Sequence, residues 1–205
     1  TVEVGSLNSL RLRNVDISNI LGTEDRDRVA VATTSVTPTS STIGSIDLAG
    51  GNDSFSLSNG NVAPMASGSI DGGDGFDSFS ADGETIEFDI DTLVNFEYLE
   101  LARGTYWGDA GAIEVESRGA TLDGFTADLI YLAKDGGSAN LTSTSVVGAV
   151  ESRLPNSFSS ATSLVNNGEV TGDVGIRGTE DEYGIYDGSG GGTVGGQVTG
   201  SAGLE

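Results

Sequence analysis

A repeat with a period of about 24 residues constrains the fold of this chain more than any other feature of its sequence. Residues 44–47, GSID, recur as residues 68–71. Residues 53–56, DSFS, recur as residues 77–80 at the same offset. A unit this short cannot bury an apolar face alone, so successive copies must stack on one another. The repeat therefore predicts a solenoid.

A second set of matches with the same spacing lies downstream. The pattern V-x-G-x-V begins at Val146, at Val170 and at Val194. Leu122 and Gly124 form a weaker, earlier member of the series. We expect the three valines to lie in adjacent layers of one coiled wall.

The upstream repeat makes a matching prediction for an isoleucine column. Ile46 should lie directly beneath Ile70, and Val94, one further period along the chain, should continue the column. With 32 glycines and short alternating apolar runs, the chain favours short strands joined by turns. The sequence predicts an all-β protein: a right-handed parallel β-helix (solenoid) with coils of about 24 residues. Right-handedness follows from the general preference for right-handed crossovers.

Residues 103–111, RGTYWGDAG, separate the two sets of repeats and contain the only tryptophan. The repeat phase slips by about four residues between the two sets, and we place the slip in this stretch. We assign its aromatic pair to core packing, because aromatic rings dominate the energetics of burial. A sugar-binding platform is the alternative.

The acidic composition excludes several classes of partner. The chain has 31 acidic and 9 basic residues, a formal net charge of −22. Such a surface repels phosphate backbones and anionic membranes, so we expect no nucleic-acid partner and no membrane contact. The chain has no cysteine and no histidine, which removes disulfides, thiolate metal sites and the usual general base. We expect one domain over residues 1–205, a fragment of a longer protein, since the sequence has no initiator Met or signal peptide.

Residues 72–80, GGDGFDSFS, fit the nine-residue G-G-x-G-x-D-x-U-x pattern at every specified position. The stretch resembles the repeats of the RTX (hemolysin-type) calcium-binding family. The resemblance implies a glycine-rich turn with exposed carbonyls, an Asp carboxylate and an inward apolar side chain. Residues 48–56, LAGGNDSFS, keep only part of this pattern, and the repeats do not follow one another in tandem.

The RTX resemblance implies a calcium site. Asp53 and Asp77, stacked one coil apart, would share a Ca²⁺ with carbonyl oxygens around Gly51 and Gly73, and Asp74 adds a neighbouring carboxylate. Hard oxygen ligands of this kind suit Ca²⁺. The alternative is that Asp and Gly occupy these positions because they form tight turns, with each Asp capping its own backbone.

The wider pattern is similar to the passenger regions of autotransporters and large surface adhesins of Gram-negative bacteria. Phrases such as NNGEVTGDV, GGNDSF, YDGSGGGTV and TLVNFEYLEL carry this resemblance. It implies a non-enzymatic stalk or adhesive module, secreted or on the cell surface outside the outer membrane, with calcium as an optional stabiliser. Host or cell-surface proteins or carbohydrates are the candidate partners. Open strand edges at the ends of a solenoid also permit end-to-end self-association.

The alternative function is a carbohydrate-active β-helix, either a polysaccharide lyase or a glycoside hydrolase. Two carboxylates are the minimum for glycoside hydrolysis, and Asp89 with Asp91, or residues 180–182, supply acidic pairs. Adjacent charges on a turn are usually only solvated, and Lys134 is the sole lysine. No constellation is evident that could bind an acidic polysaccharide and abstract its proton, so we expect no enzymatic activity.

Overall fold

The computed structural model describes residues 2–3, 9–12, 17–32, 43–58, 68–116, 119–133, 136–152, 162–177 and 185–201. The chain divides into two compact units, Thr1–Glu100 and Leu101–Glu205. Apart from one 3₁₀ turn at Ile90–Thr92, the described residues form strands and turns without any helix. None of these residues therefore belongs to a helix that could span a membrane. The predicted all-β, parallel solenoid is confirmed.

The first unit consists of short strands that form two parallel walls. Its strands are β1 (Val2–Glu3), β2 (Leu10–Leu12), β3 (Ile17–Thr23), β4 (Arg28–Ala32), β5 (Ile43–Gly51), β6 (Ser54–Ser58), β7 (Ile70–Asp71), β8 (Asp74–Gly75), β9 (Ser78–Asp82), β10 (Glu87–Asp89), β11 (Leu93–Val94) and the start of β12 (Tyr98–Ala102). One wall has the order β1-β3-β5-β7-β11, and the other has β2-β4-β6-β9. A short β5–β8 pair lies at the corner between them.

An isoleucine column runs through the first wall. Ile20 pairs with Ile46, and Ile46 pairs with Ile70, as predicted for the second pair. All three side chains are buried. The prediction for Val94 was wrong, because Leu93, one position earlier than the repeat predicts, is the residue that pairs with Ile70. Val94 is 40% exposed, since a shift of one residue turns a side chain to the other face of a strand.

The second wall supplies the aromatic core of the first unit. Val29, Phe55 and Phe79 are paired in successive coils and are fully enclosed. The rings of Phe55 and Phe79 stack with centroids 5.9 Å apart, and Phe88 stacks on Phe79 at 5.0 Å. Each buried ring contributes about 1.5–3 kcal/mol of hydrophobic stabilisation. The alternation of these residues with serines is the reason that one face of the wall is apolar and the other polar.

The second unit has the same parallel construction. Its strands are β13 (Thr105–Val115), β14 (Ala120–Leu132), β15 (Ser138–Leu141), β16 (Val146–Ser152), β17 (Ser163–Asn166), β18 (Glu169–Val170), β19 (Val174–Arg177), β20 (Ile185–Asp187), β21 (Thr193–Val194) and β22 (Val198–Ser201). β13 pairs with β14, and β14 pairs with both β15 and β16. From there the stacks continue as β15-β17-β20, β16-β18-β21 and β16-β19-β22.

The valine column of the second unit differs from the prediction by one residue, at the strand that contains Val146. Val170 pairs with Val194 as expected, but Val147 and not Val146 pairs with Val170. Val146 pairs with Glu169 and is 39% exposed, whereas Val147 is enclosed. The cause is again a coil that is one residue shorter than the repeat predicts.

The length of the coils is not uniform. Leu122, predicted to be an early member of the valine ladder, pairs instead with Tyr106 and Leu141, and both of these coils are much shorter than the repeat. The coil from Ile20 to Ile46, by contrast, is longer than the repeat. The predicted period therefore holds only where neighbouring corners have equal length, because the strands must stay in register while the corners are free to vary.

Tyr106 confirms that the aromatic stretch contributes to the core. Its ring is fully enclosed, and its hydroxyl donates to the carbonyl oxygens of Ala102 at 2.8 Å and Arg103 at 2.6 Å. The register between β13 and β14 shifts between Tyr106 and Gly108. This local shift lies within residues 103–111, but it is a shift of one residue and does not test the predicted slip of about four residues between the two sets of repeats.

Candidate functional site

Three buried aspartates form a column at one corner of the first unit. Asp27, Asp53 and Asp77 each directly precede a strand of the second wall. Their side chains are 1%, 2% and 0% exposed, respectively. Buried carboxylates are uncommon and need hydrogen bonds or charge partners. We therefore treat this column as the candidate functional site.

The Asp53 and Asp77 carboxylates, and that of Glu97 in the following coil, each bond to the backbone of the preceding coil. The Asp27 N–H donates to Asp53 Oδ1 at 2.7 Å, and the Asp53 N–H donates to Asp77 Oδ1 at 2.7 Å. The Asp77 N–H in turn donates to Glu97 Oε2 at 2.7 Å. The column therefore joins four coils through side chains, in addition to the hydrogen bonds of the strands.

The second oxygen of two of these carboxylates has no partner. Asp53 Oδ2 and Asp77 Oδ2 are enclosed and form no hydrogen bond with the described residues. Asp27 Oδ2, by contrast, accepts the Thr23 N–H at 2.6 Å and the Thr23 hydroxyl at 3.2 Å. A buried acceptor without a donor is unfavourable by about 1–3 kcal/mol.

The difference arises from an aspartate ahead of each corner, which occurs in only two of the three coils. In the coils of Asp53 and Asp77, the Asp47 and Asp71 carboxylates accept the N–H groups of Ala49 and Gly73, both at 3.0 Å. These are the amides that correspond to that of Thr23 in the coil of Asp27. Because they are already used, they cannot donate to the column. Capping of a nearby backbone, the alternative to metal binding, is thus seen at these two aspartates, whereas the column aspartates bond to a neighbouring coil.

Burial shifts the acidity of the orphaned carboxylates. Desolvation raises the pKa of Asp53 from its ordinary value of 3.8 to about 6, against the opposing effect of its hydrogen bond from Asp27. The Asp77 carboxylate raises this pKa further, and the Arg26 guanidinium lowers it. Burial likewise raises the pKa of Asp77, with the Glu97 carboxylate adding to the effect. Both carboxylates are therefore protonated at a higher pH than an exposed aspartate is.

The residues predicted for calcium all lie at this corner. Asp53 and Asp77 are stacked one coil apart, as expected. Gly51 and Gly73 lie in the preceding turns with φ of 122° and 90°, and Asp74 is exposed next to Gly73. Ca²⁺ takes six to eight oxygen ligands, and each stacked aspartate has already committed one oxygen to an amide. No group of three or more acidic side chains in the described ranges is placed to hold a metal ion. Calcium would therefore depend on backbone carbonyls, and the site stays a prediction.

The acidic pairs considered for glycoside hydrolysis lie elsewhere. Asp89 Oδ1 accepts the Asp91 N–H at 3.1 Å and so caps the 3₁₀ turn. Residues 180–182 and Lys134 lie outside the described residues. Of the column, sequence reasoning missed Glu97, because its spacing from Asp77 is shorter than the repeat and its side chain is of a different type.

Comparisons with known proteins leave the site to be interpreted from its geometry alone. No family model matches the sequence, and neither the curated proteins nor the solved structures give a significant match.

Proposed function

We propose that this chain is a non-enzymatic structural module, a stalk or adhesive passenger segment of a secreted or cell-surface bacterial protein. The observation that supports it best is the use made of its buried polar groups. The Asp53 and Asp77 carboxylates hold the backbone of the preceding coil at 2.7 Å. These buried carboxylates, which could otherwise act as catalytic acids or bases, form hydrogen bonds that join one coil to the next.

The stacking of coils supports a mechanical role. In a solenoid each repeat contacts only its neighbours, so the stability is a sum of repeat and interface contributions. Here an interface in the first unit combines strand hydrogen bonds and an apolar column such as Ile46–Ile70. It also contains a buried carboxylate that accepts the corner N–H of the preceding coil, as Asp77 accepts that of Asp53, and we call this hydrogen bond the clamp. Charge-assisted hydrogen bonds of this type are about twice as strong as neutral ones. Such interfaces resist separation along the stacking direction.

The surface charge supports an exported location. A net charge of −22 keeps neighbouring molecules apart and disfavours nucleic acids and anionic lipids. The resemblance to autotransporter and adhesin passengers points to the same setting, where the partner is a host or cell-surface protein or carbohydrate. Calcium belongs to this proposal as an added stabiliser of the corner, not as a catalytic metal.

Single-molecule pulling between the two termini tests the structural role. We expect stepwise unfolding, with length increments of about 8 nm for coils of about 24 residues. Asp77→Ala should lower the force of the affected steps, because it removes the clamp on Asp53 and leaves that amide buried. Asp74→Ala, which removes an exposed carboxylate from the same corner, is the matched control.

A second experiment addresses the enzymatic alternative. The chain is incubated with neutral and acidic polysaccharides, and new reducing ends and unsaturated uronate absorbance are measured. We expect no product above that of a heat-denatured sample. Turnover that disappears on heating, or unfolding in one low-force event without steps, would contradict the proposed function.

A further inference from the structure

A surface groove of about 770 Å³ opens beside the aspartate column. Its volume lies within the range of about 300–1,000 Å³ that is usual for small-molecule sites. All of its lining residues belong to corners of the first unit and to the strand that follows: Arg26, Gly51, Asn52, Asp53, Asp74, Gly75, Phe76 and Ser78. Of these residues only Asp53 takes part in the clamp between coils, so the clamp does not account for the others.

Two glycines let adjacent corners pack closely at the groove. Gly50 and Gly51 pair with Asp74 and Gly75 of the next coil. A Cβ on Gly75 would overlap the carbonyl oxygen of Gly51, and a Cβ on Gly51 would lie 2.8 Å from the carbonyl oxygen of Asp25. No other residue fits at these two positions without moving the backbone. This part of the groove wall is therefore main chain packed against main chain.

Three different side chains stand at the same place in successive corners. Arg26, Asn52 and Phe76 each directly precede an aspartate of the column. Phe76 is 58% exposed, a high value for an aromatic ring beside an enclosed core. The side-chain oxygen Oδ1 of Asn52 accepts the Phe76 N–H at 3.1 Å, which fixes the Asn52 side-chain amide against the corner of Phe76.

Two of these side chains keep unused donors. Among the described residues, the Asn52 NH₂ group and the Arg26 guanidinium have no hydrogen-bond acceptor. Both side chains are exposed, so their donors are open to solvent. The groove thus combines the exposed ring of Phe76 with donors from Arg26 and Asn52 and an acceptor from Asp74. A few polar groups placed around an apolar surface are typical of small-molecule binding sites.

We propose that this groove binds a neutral oligosaccharide. The C–H face of a pyranose would stack on Phe76, while its hydroxyls would accept from Arg26 and Asn52 and donate to Asp74. This inference rests on the proposed adhesive function, for which it names the ligand class and the place of contact.

The local charge disfavours an anionic ligand. Asp53 and Asp74 line the groove, Glu24 and Asp25 directly precede Arg26 in the chain, and the whole chain carries −22, so an anionic polysaccharide or a phosphate is repelled. Arg26, the one basic residue of the groove lining, offsets only part of this charge. Hydroxyl groups, which both donate and accept, match a mixture of free donors and acceptors without bringing a net charge.

The test is isothermal titration of the full chain with a panel of oligosaccharides. The neutral probes are cellohexaose, laminarihexaose, mannohexaose and chitohexaose, and the charged probes are hexagalacturonate and hexalysine. We expect saturable binding of at least one neutral probe with a Kd of about 1 mM or below. Phe76→Ala should weaken it about tenfold, while Phe76→Tyr, which keeps the ring, should stay within about twofold. Arg26→Gln should weaken it as well, by removing charge-assisted donors.

Ile185→Ala is the matched control. Ile185 is 57% exposed, close to the value for Phe76, but it lies in the second unit. This variant should bind as the wild type does. Absence of binding to every neutral probe, binding that is unchanged in Phe76→Ala, or tighter binding of hexagalacturonate or hexalysine would each overturn the inference. None of these results affects the stepwise unfolding expected for the module, so a failure of this inference can be told apart from a failure of the proposed function.

Discussion

Replacement of Asp53 by Asn should flatten the pH dependence of stability. The pKa of Asp53 is about 6 in the folded protein and 3.8 is its ordinary value. The folded state therefore binds this proton more tightly than the unfolded state does. The resulting stabilisation is fully present below about pH 3.8 and is lost as the pH rises through about 6. Asn has nearly the same shape and can still accept the Asp27 N–H, but it does not titrate.

The magnitude follows from the shift in pKa. One pKa unit corresponds to about 1.36 kcal/mol, so a rise from 3.8 to about 6 corresponds to at most about 3 kcal/mol. Asp53 also borders the open groove, where water screens part of the effect, so we expect about 1–2 kcal/mol. The charged groups facing it, Asp27, Asp77 and Arg26, stay in place in the variant. The wild type should therefore gain about 1–2 kcal/mol more than Asp53→Asn between about pH 7.5 and about pH 4.

Urea unfolding followed by circular dichroism at a series of pH values measures this difference. The quantity compared is the change in the free energy of unfolding with pH, so any pH-independent effect of the Asn NH₂ group cancels. Acidification also relieves repulsion across a chain of charge −22, which stabilises every variant. Asp74→Asn, which removes an exposed charge from the same corner, controls for that effect and should parallel the wild type. If Asp53→Asn also parallels the wild type, the argument that burial raises the pKa of Asp53 is refuted.

Three further predictions concern register, backbone space and calcium. Val147→Ala should destabilise the protein by about 2 kcal/mol, because Val147 is enclosed. Val146→Ala, at an exposed position, should change the free energy of unfolding by less than about 0.5 kcal/mol. Equal effects of the two substitutions would contradict the register of β16. Gly73→Ala should cost about 3 kcal/mol or more, because φ is 90° and the new Cβ would overlap the Ala49 carbonyl oxygen. Gly111→Ala, where a Cβ meets nothing within 4 Å, is its control and should stay within about 0.5 kcal/mol in the same denaturant assay. At about pH 7.5, calcium should raise the Tm by about 2–4 °C for each kcal/mol of binding, and EGTA should reverse the rise; a Tm that does not respond removes calcium from the corner.

The sequence predicted the layers of the fold better than their exact register. Ile46 over Ile70 and Val170 under Val194 were predictable because like residues recur at a constant offset in equal corners. The pattern could not choose between Leu93 and Val94, since both are apolar and neighbouring positions face opposite sides of a strand. A coil shortened by one residue leaves no other mark in the sequence.

The candidate site was predicted in position but not in bonding. Asp53 and Asp77 recur at the repeat offset, so their stacking could be expected. Their hydrogen bonds could not, because an Asp before a strand can cap its own turn or reach the adjacent coil with equal ease. The groove was missed because Arg26, Asn52 and Phe76 share a position but no chemical type. The available signal was their common place directly before each column aspartate.

The aspartate clamps run in one direction along the chain. The amide of Asp27 is satisfied by Asp53, that of Asp53 by Asp77, and that of Asp77 by Glu97. If the stack ended after the coil of Asp27 or of Asp53, the corner amide of that last coil would have no carboxylate to bond with. Each of these coils therefore depends on the coil that follows it in the sequence, and not on the one before it, to complete the hydrogen bonds of its corner.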